Sequence, residues 1–173
     1  MRAAMAEANG ADLSQFERWY SQAGTPVVEC RGEYDGAKKT YTLEVSQSCA
    51  PVPGQPAKLP FVIPLAVGLV DPDGRDMPLT LDGSAIAPRP DGSITAVLKV
   101  TQPRQRFTFA QVAAAPVPSL LRGFSAPVHV RFDYGDADLL HLMAHDSDAF
   151  NRWDAGQAVA TRIVLAGVER LHA

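Results

Sequence analysis

The chain has 173 residues, 46% of them apolar, and a formal net charge of −3. This is the balance of one globular domain with some helical extra, not of a disordered chain. No basic run stands anywhere, which argues against a nucleic-acid partner. The longest apolar stretch, residues 61–70 interrupted by Pro64, is too short for a bilayer span, which needs about 20 residues.

Residues 1–24 read as helix, and MRAAMAEANG at its start lacks the apolar core of a secretory signal. Asp12 suits an N-cap with Gln15 three positions on, as in a capping box. Leu13, Phe16, Trp19 and Tyr20 fall on one face, and Gly24 and Pro26 stop the helix. Little precedes that apolar face, so it is expected to pack on the sandwich C-terminal to it or on another domain.

Across residues 26–134 the period becomes two. Tyr41, Leu43 and Val45 alternate with Thr42, Glu44 and Ser46; Ile94, Ala96, Leu98 and Val100 share one face; Val128, Val130, Phe132 and Tyr134 share another. Asp-Gly pairs at 35, 73, 82 and 91 mark turns, because both residues tolerate positive φ. Short strands with frequent turns predict a mainly β fold, an Ig-like antiparallel β-sandwich with helices at both ends. Pro51, Pro53, Pro56 and Pro60 predict an extended loop, and Pro64 an edge or bulge. A hairpin turning at Asp35-Gly36 sets Cys30 opposite residues 41–43 and leaves Cys49 about 20 Å away. Both thiols are therefore expected free, which suits a reducing compartment.

After Tyr134 the period is helical again. A short helix is expected over residues 138–144. A longer one, capped by Asp146 or Ser147, runs through Trp153 towards Leu171. Val159, Ile163 and residues 165–168 give it a broad apolar face, wider than the chain itself can be expected to cover.

Few residues invite a chemical role. His141 and His145 have zinc-ligand spacing on a helix, but Leu142 stands where a base would come and no convincing third and fourth ligands occur. Asp146, Asp148 and Asp154 lack the spacing of an EF-hand loop and read as helix-capping residues. Ser21, Ser46 and Ser125 have no nucleophile-elbow context. Cys30 and Cys49 have no flanking cations. Trp19 and Trp153 read as core or domain-interface residues rather than a sugar-binding face.

Two word-like segments bracket the sandwich: DLSQFERWYSQAGTPVV at 12–28 and LMAHDSDAFNRWDAGQ at 142–157. Both resemble stretches of the aminopeptidase N family of zinc metallopeptidases, in its long bacterial-type members. In that family a passage like RWYSQ-[AS]-G-TP closes the catalytic domain, and one like HDSDxFNRW-[DE]-A-x-Q opens a large helical domain. Here they are residues 18–26 and 145–157, and YTLEVSQS (41–48) and FSAPV (124–128) lie between. The resemblance implies three parts: residues 1–25 as the helical end of a catalytic domain, 26–134 as the sandwich, 135–173 as the start of a C-terminal helical domain. The family holds zinc with His-Glu-x-x-His and a downstream Glu, and the substrate amine with Gly-x-Met-Glu-Asn. Neither motif occurs here, so no catalytic, cofactor-binding or metal residue is expected in this chain.

The implied role is structural: a non-catalytic piece, inactive alone, that orients the catalytic and helical domains of one parent chain. The parent would use zinc to remove single N-terminal residues from peptides, with a broad preference for basic, Ala or large apolar side chains. Its expected compartment is the cytoplasm. The rivals are a free-standing Ig-like interaction module and a small metal-dependent hydrolase using His141 and His145. The domain-fragment reading predicts that the terminal helices expose more apolar surface than the few hundred Å² of an ordinary patch.

Overall fold

The structure, a computed structural model, describes residues 2–172 and the side chains of residues 4–171. Met1 and Ala173, at the outer ends of the first and third expected parts, lie outside the described residues.

Two sheets face each other. The larger has the order β5-β4-β7-β2-β1-β9 and the smaller β6-β3-β8. Their strands are β1 (Val27–Asp35), β2 (Thr40–Ser48), β3 (Ile63–Val70), β4 (Thr80–Leu81), β5 (Ser84–Ala85), β6 (Ala96–Val100), β7 (Arg104–Ala110), β8 (Val117–Leu120) and β9 (His129–Arg131). Neighbours are antiparallel except β1 and β9. Alternation places Tyr41, Leu43 and Val45 of β2 inward, against Ile63, Leu65, Val67 and Leu69 of β3 and Ala96, Leu98 and Val100 of β6, in one buried core.

β3 explains the longest apolar run. Its other face is covered too: Val70 packs with Leu139, Leu142 and Ala155 of the C-terminal helices. A strand buried on both sides reads as continuous apolar sequence rather than alternation. Pro64 pairs with Lys99 of β6, whereas β8 joins β3 only from Val67 onward. The missing N–H of Pro64 thus falls where β3 has a single neighbour.

The β1–β2 hairpin is longer than the sequence suggests. Asp35 Oδ1 accepts from Ala37 N (3.1 Å) and Lys38 N (3.0 Å), and Lys39 rather than Gly36 takes the positive φ. The register therefore pairs Cys30 with Val45, not with residues 41–43. Both cysteines are free. Of the other Asp-Gly turns, Asp82 and Gly83 both have positive φ and join β4 to β5 in a two-residue hairpin.

The N-terminal segment is not one helix. α1 (Arg2–Asn9) ends at Gly10, whose φ is +57°, and helix resumes only as a turn at Gln15–Glu17 that leads into α2 (Arg18–Ser21). Asp12 does accept from Ser14 N (2.8 Å), but Gln15 does not complete a capping box. Its amide reaches inward to Pro60 O (3.1 Å) and Thr101 O (2.7 Å). The apolar stripe divides as well. Trp19 stacks on Phe61 with centroids 4.6 Å apart and donates to Val62 O (2.9 Å), while Tyr20 is 77% exposed.

Side-chain amides read the backbone of the proline-rich loop at several points. Gln22 makes a reciprocal pair with Leu59 (2.9 and 2.6 Å), and Gln47 another with Phe61 (2.9 and 2.7 Å). These groups do for an irregular segment what a neighbouring strand would do. Gln47→Leu would leave the Phe61 N–H unpaired and Phe61 O with only the longer bond from Gln15 Nε2 (3.3 Å). Its expected effect is a loss of about 1–3 kcal/mol, read as a lower urea midpoint with an unchanged m-value.

Candidate functional site

The most demanding chemistry in the molecule is a buried cation. Arg122 comes just after β8, in a turn where Leu121 (φ +59°), Gly123 (+61°) and Phe124 (+50°) are all left-handed. For non-glycine residues that conformation costs about 1–2 kcal/mol each. The turn swings Arg122 back over β3, where Gly68 leaves room: a Cβ there would lie 2.0 Å from Arg122 Cζ.

The guanidinium is met on all sides. Asp76 grips it with both oxygens, Nη1 to Oδ2 and Nη2 to Oδ1, each at 2.8 Å. Nε donates to Ser119 Oγ (2.7 Å), Nη1 to Ile94 O (3.1 Å), and Nη2 to Asp146 Oδ1 (3.1 Å). The side chains of Arg122, Asp76 and Asp146 are 1%, 7% and 0% exposed. One charge of the triad is left over, and Asp146 Oδ2 has no hydrogen-bond partner. Asp76 is presented by a tight loop that Asp71 folds around its own carboxylate, accepting from Asp73 N (2.9 Å) and Arg75 N (2.8 Å). Burial alone would raise the Asp76 carboxyl, but the bonds from Arg122, Ile94 N and Ser147 outweigh it and hold the group below its ordinary value. Burial likewise works against the Arg122 charge, and the two aspartates hold its pKa above the ordinary value.

Two helices complete the site: α3 (Asp136–His145) and α4 (Ala149–His172). The link between them is Asp146-Ser147-Asp148 of the second word-like stretch. Ser147 Oγ donates to Asp76 Oδ2 (2.8 Å), and Asp148 Oδ2 accepts from Gly123 N (2.9 Å). Asn151 Nδ2 donates to Ser119 Oγ (2.8 Å) and Leu120 O (2.9 Å), and Arg152 to Asp146 O (2.6 Å). The N-cap of α4 is Asp148, whose Oδ1 accepts from Asn151 N (2.9 Å). Neither Asp146 nor Ser147 is that cap, because both are committed to the sandwich. Arg122 itself escaped the sequence reading; an arginine amid turn residues carries no local sign that it is buried.

Of the remaining candidates His141 and His145 come together, with ring centroids 4.9 Å apart, and the others scatter. His141 Nε2 is committed to Asp71 O (2.8 Å), and the His145 ring lies against Gly74. Among the described residues no three His, Cys, Asp or Glu converge on one point. Two imidazoles fall short of the three or four donors that zinc takes, so the residues present do not fit the metal. Cys30 is buried, which pushes its thiol up to about 12. Cys49 donates to Ala23 O (3.6 Å), Ser21 to Glu17 O (3.2 Å), and Ser125 Oγ accepts from Ala66 N (3.0 Å). Asp154 is exposed beside a cleft of about 1060 Å³ between β9 and α4, lined also by Glu29, Phe124, Phe132 and Phe150.

Arg122→Met is expected to destabilise the fold by about 3–5 kcal/mol, since it strands two buried carboxylates. Arg122→Lys should also destabilise, because an ammonium cannot reproduce the two-pronged grip; equilibrium denaturation reads both. Asp76 has a lowered folded-state pKa, so its contribution is full above the unfolded value of about 4 and is lost as pH falls through the folded one. Asp76→Asn should therefore lower Tm at pH 7 and flatten the loss of Tm below about pH 4.

The chain is similar to known proteins over most of its length. Residues 24–133 match the family model described as a domain of unknown function (DUF3458) with an Ig-like fold, and residues 136–173 match its companion, DUF3458_C, described as ARM repeats. Aminopeptidase N of Escherichia coli K12 is 40% identical over 167 residues, which is 96% of this chain and 18% of that protein. Aminopeptidase N of Haemophilus influenzae is 39% identical over 169 residues, again 18% of its length. The crystal structure of Legionella pneumophila aminopeptidase A in complex with aspartic acid superposes with a TM-score of 0.76 at 28% identity, over 96% of this chain and 17% of that one. The chain thus spans less than a fifth of the proteins it matches. The likeness to aminopeptidase N that the two word-like segments carry extends in sequence over nearly the whole chain, the likeness in fold is to an aminopeptidase A, and the chain belongs to the DUF3458 family of Ig-like domains.

Proposed function

We propose that this chain is the non-catalytic spacer of a larger zinc aminopeptidase: it joins the catalytic domain at one end and the helical domain at the other, and fixes their relative placement. Residues 1–25 are then the helical end of the catalytic domain, 26–134 the sandwich, and 135–173 the start of the helical domain. The zinc and the amine-binding residues belong to the remainder of the parent, which removes N-terminal residues from peptides in the cytoplasm.

The observation that carries the reading is the uncovered outer side of α4. One face of this helix packs on the sandwich through Ala155 and Ala158. Its other faces expose Phe150, Trp153 (59%), Val164, Val168, Leu171 and, among the largest, Ile163 (67%). The helix is about 36 Å long at 1.5 Å per residue, and its second half lies bare. Exposed apolar residues at three- and four-residue spacing suit a further helix packed alongside. Phe16 and Tyr20, edge to face at 6.0 Å, stand exposed at the opposite terminus and suit a second covering body. Two free thiols agree with a reducing compartment, and no described helix is long and apolar enough to cross a membrane.

The test is the size and activity of the native protein. An antibody against this chain is expected to detect a band several-fold heavier than 18.5 kDa. The captured protein should release N-terminal residues from peptides and lose that activity to a zinc chelator. A band near 18.5 kDa would overturn the reading in favour of a free-standing Ig-like module.

A further inference from the structure

We propose that the sandwich carries a preassembled socket for the sequence Asp-Ser-Asp-x-x-Asn, so that recognition of this plug, and not chain connectivity, joins the helical segment to it. The inference concerns this chain alone and stands or falls apart from the aminopeptidase reading.

Three observations support it. First, Arg122 is pinned from within the sandwich: Asp76, Ser119 and Ile94 supply four of its bonds, and only the bond to Asp146 comes from the helical segment. The guanidinium is thus aimed and held whether or not a helix is docked. Second, the left-handed turn at 121–124 turns the Gly123 N–H outward to Asp148 Oδ2 (2.9 Å). Left-handed turns that point backbone N–H groups outward form small anion-binding concavities. Third, every polar residue of the plug answers a fixed group of the socket. Asp146 meets Arg122, Ser147 meets Asp76, Asp148 meets Gly123 N, and Asn151 meets both Ser119 and Leu120 O. Carboxylates two residues apart fit a cation and an N–H group set either side of one turn. The partner chemistry is therefore an acidic peptide of defined spacing that leads directly into a helix.

The experiment nicks the full chain. A protease site inserted between the exposed Gly135 and Asp136 is cleaved, and the two pieces are tracked by size exclusion and titration. They are expected to co-elute at micromolar concentration with unchanged far-UV circular dichroism. Asp146→Ala leaves Arg122 bound to Asp76 and should weaken association about thirtyfold or more. Asp148→Ser keeps a capping hydroxyl for α4 but cannot reach Gly123, and should weaken association about tenfold. The proposal is overturned if the unsubstituted pieces separate, or if the sandwich piece unfolds once the plug is released. It is also overturned if both substitutions leave affinity within about threefold, for then the apolar contacts of Leu139, Leu142 and Ala155, with the His141 bond to Asp71 O, would hold the joint.

Discussion

A guanidinium removed from water needs a partner for each of its donors, and Arg122 finds them in four separate stretches of chain, residues 76, 94–95, 119 and 146, while a fifth, at Gly68, leaves it room. Each stretch is constrained in turn. Residue 68 must lack a side chain, residue 119 must offer an oxygen, and the loop after β3 must close tightly enough to deliver Asp76. The turn after β8 must hold two non-glycine residues in left-handed geometry. Apolar residues in place of Arg122, Asp76 and Asp146 together would ask for none of this, and such whole-cluster replacements are often no less stable. What the ion network supplies is direction. It allows one register and one azimuth of α4 against the sandwich, where a smooth apolar face would tolerate several.

The opposite end is built on different chemistry. There the sandwich meets residues 12–23 mainly through neutral amides and one indole N–H, which read the carbonyls of residues 59–62 and 101, with Arg18 donating to Pro60 O and Lys58 to Ala23 O beside them. These are backbone acceptors of an extended, proline-rich segment that has few strand partners of its own. Neutral bonds at half-exposed sites are worth less individually than the charged cluster around Arg122. Their number and the reciprocal Gln22–Leu59 pair compensate, and Trp19 on Phe61 adds apolar contact. One junction is a buried charge lock and the other a lattice of amides.

The legibility of each element in the sequence depends on how local its cause is. The sandwich is readable because period-two alternation in β2 and β6 is a property of consecutive residues. So are the Asp82-Gly83 hairpin and the helices after Tyr134. The first helix misleads because the apolar spacing of Leu13, Phe16, Trp19 and Tyr20 outweighs Gly10, while the bonds that unravel the segment come from residues 60–62 and 101, far along the chain. The hairpin register differs from expectation because Lys39, not Gly36, takes the left-handed position. The capping role expected of Asp146 fails for the same reason that Arg122 stays silent in the sequence: the deciding partner is 24 residues distant. The acidic segment is visible as a word, but its meaning lies in the socket opposite.

Both junctions converge on one strand. The amide lattice takes hold just before β3, at residues 60–62; the charge lock sits over Gly68 and draws on the loop beyond Val70. β6 runs alongside and repeats the pattern in reverse, with Thr101 at the amide end and Ile94 and Thr95 at the charged end. From Val62 to Gly68 is about 20 Å of extended chain at 3.3 Å per residue. Along β3 Ile63, Leu65, Val67 and Leu69 are fully buried on one side, and Ala66 and Val70 are buried on the other. A strand enclosed in this way cannot bend or slip without opening the core on both faces, since a one-residue shift would exchange every side chain between them. The separation of the two terminal segments is therefore a property of the sandwich interior, and it holds as long as the core itself is intact.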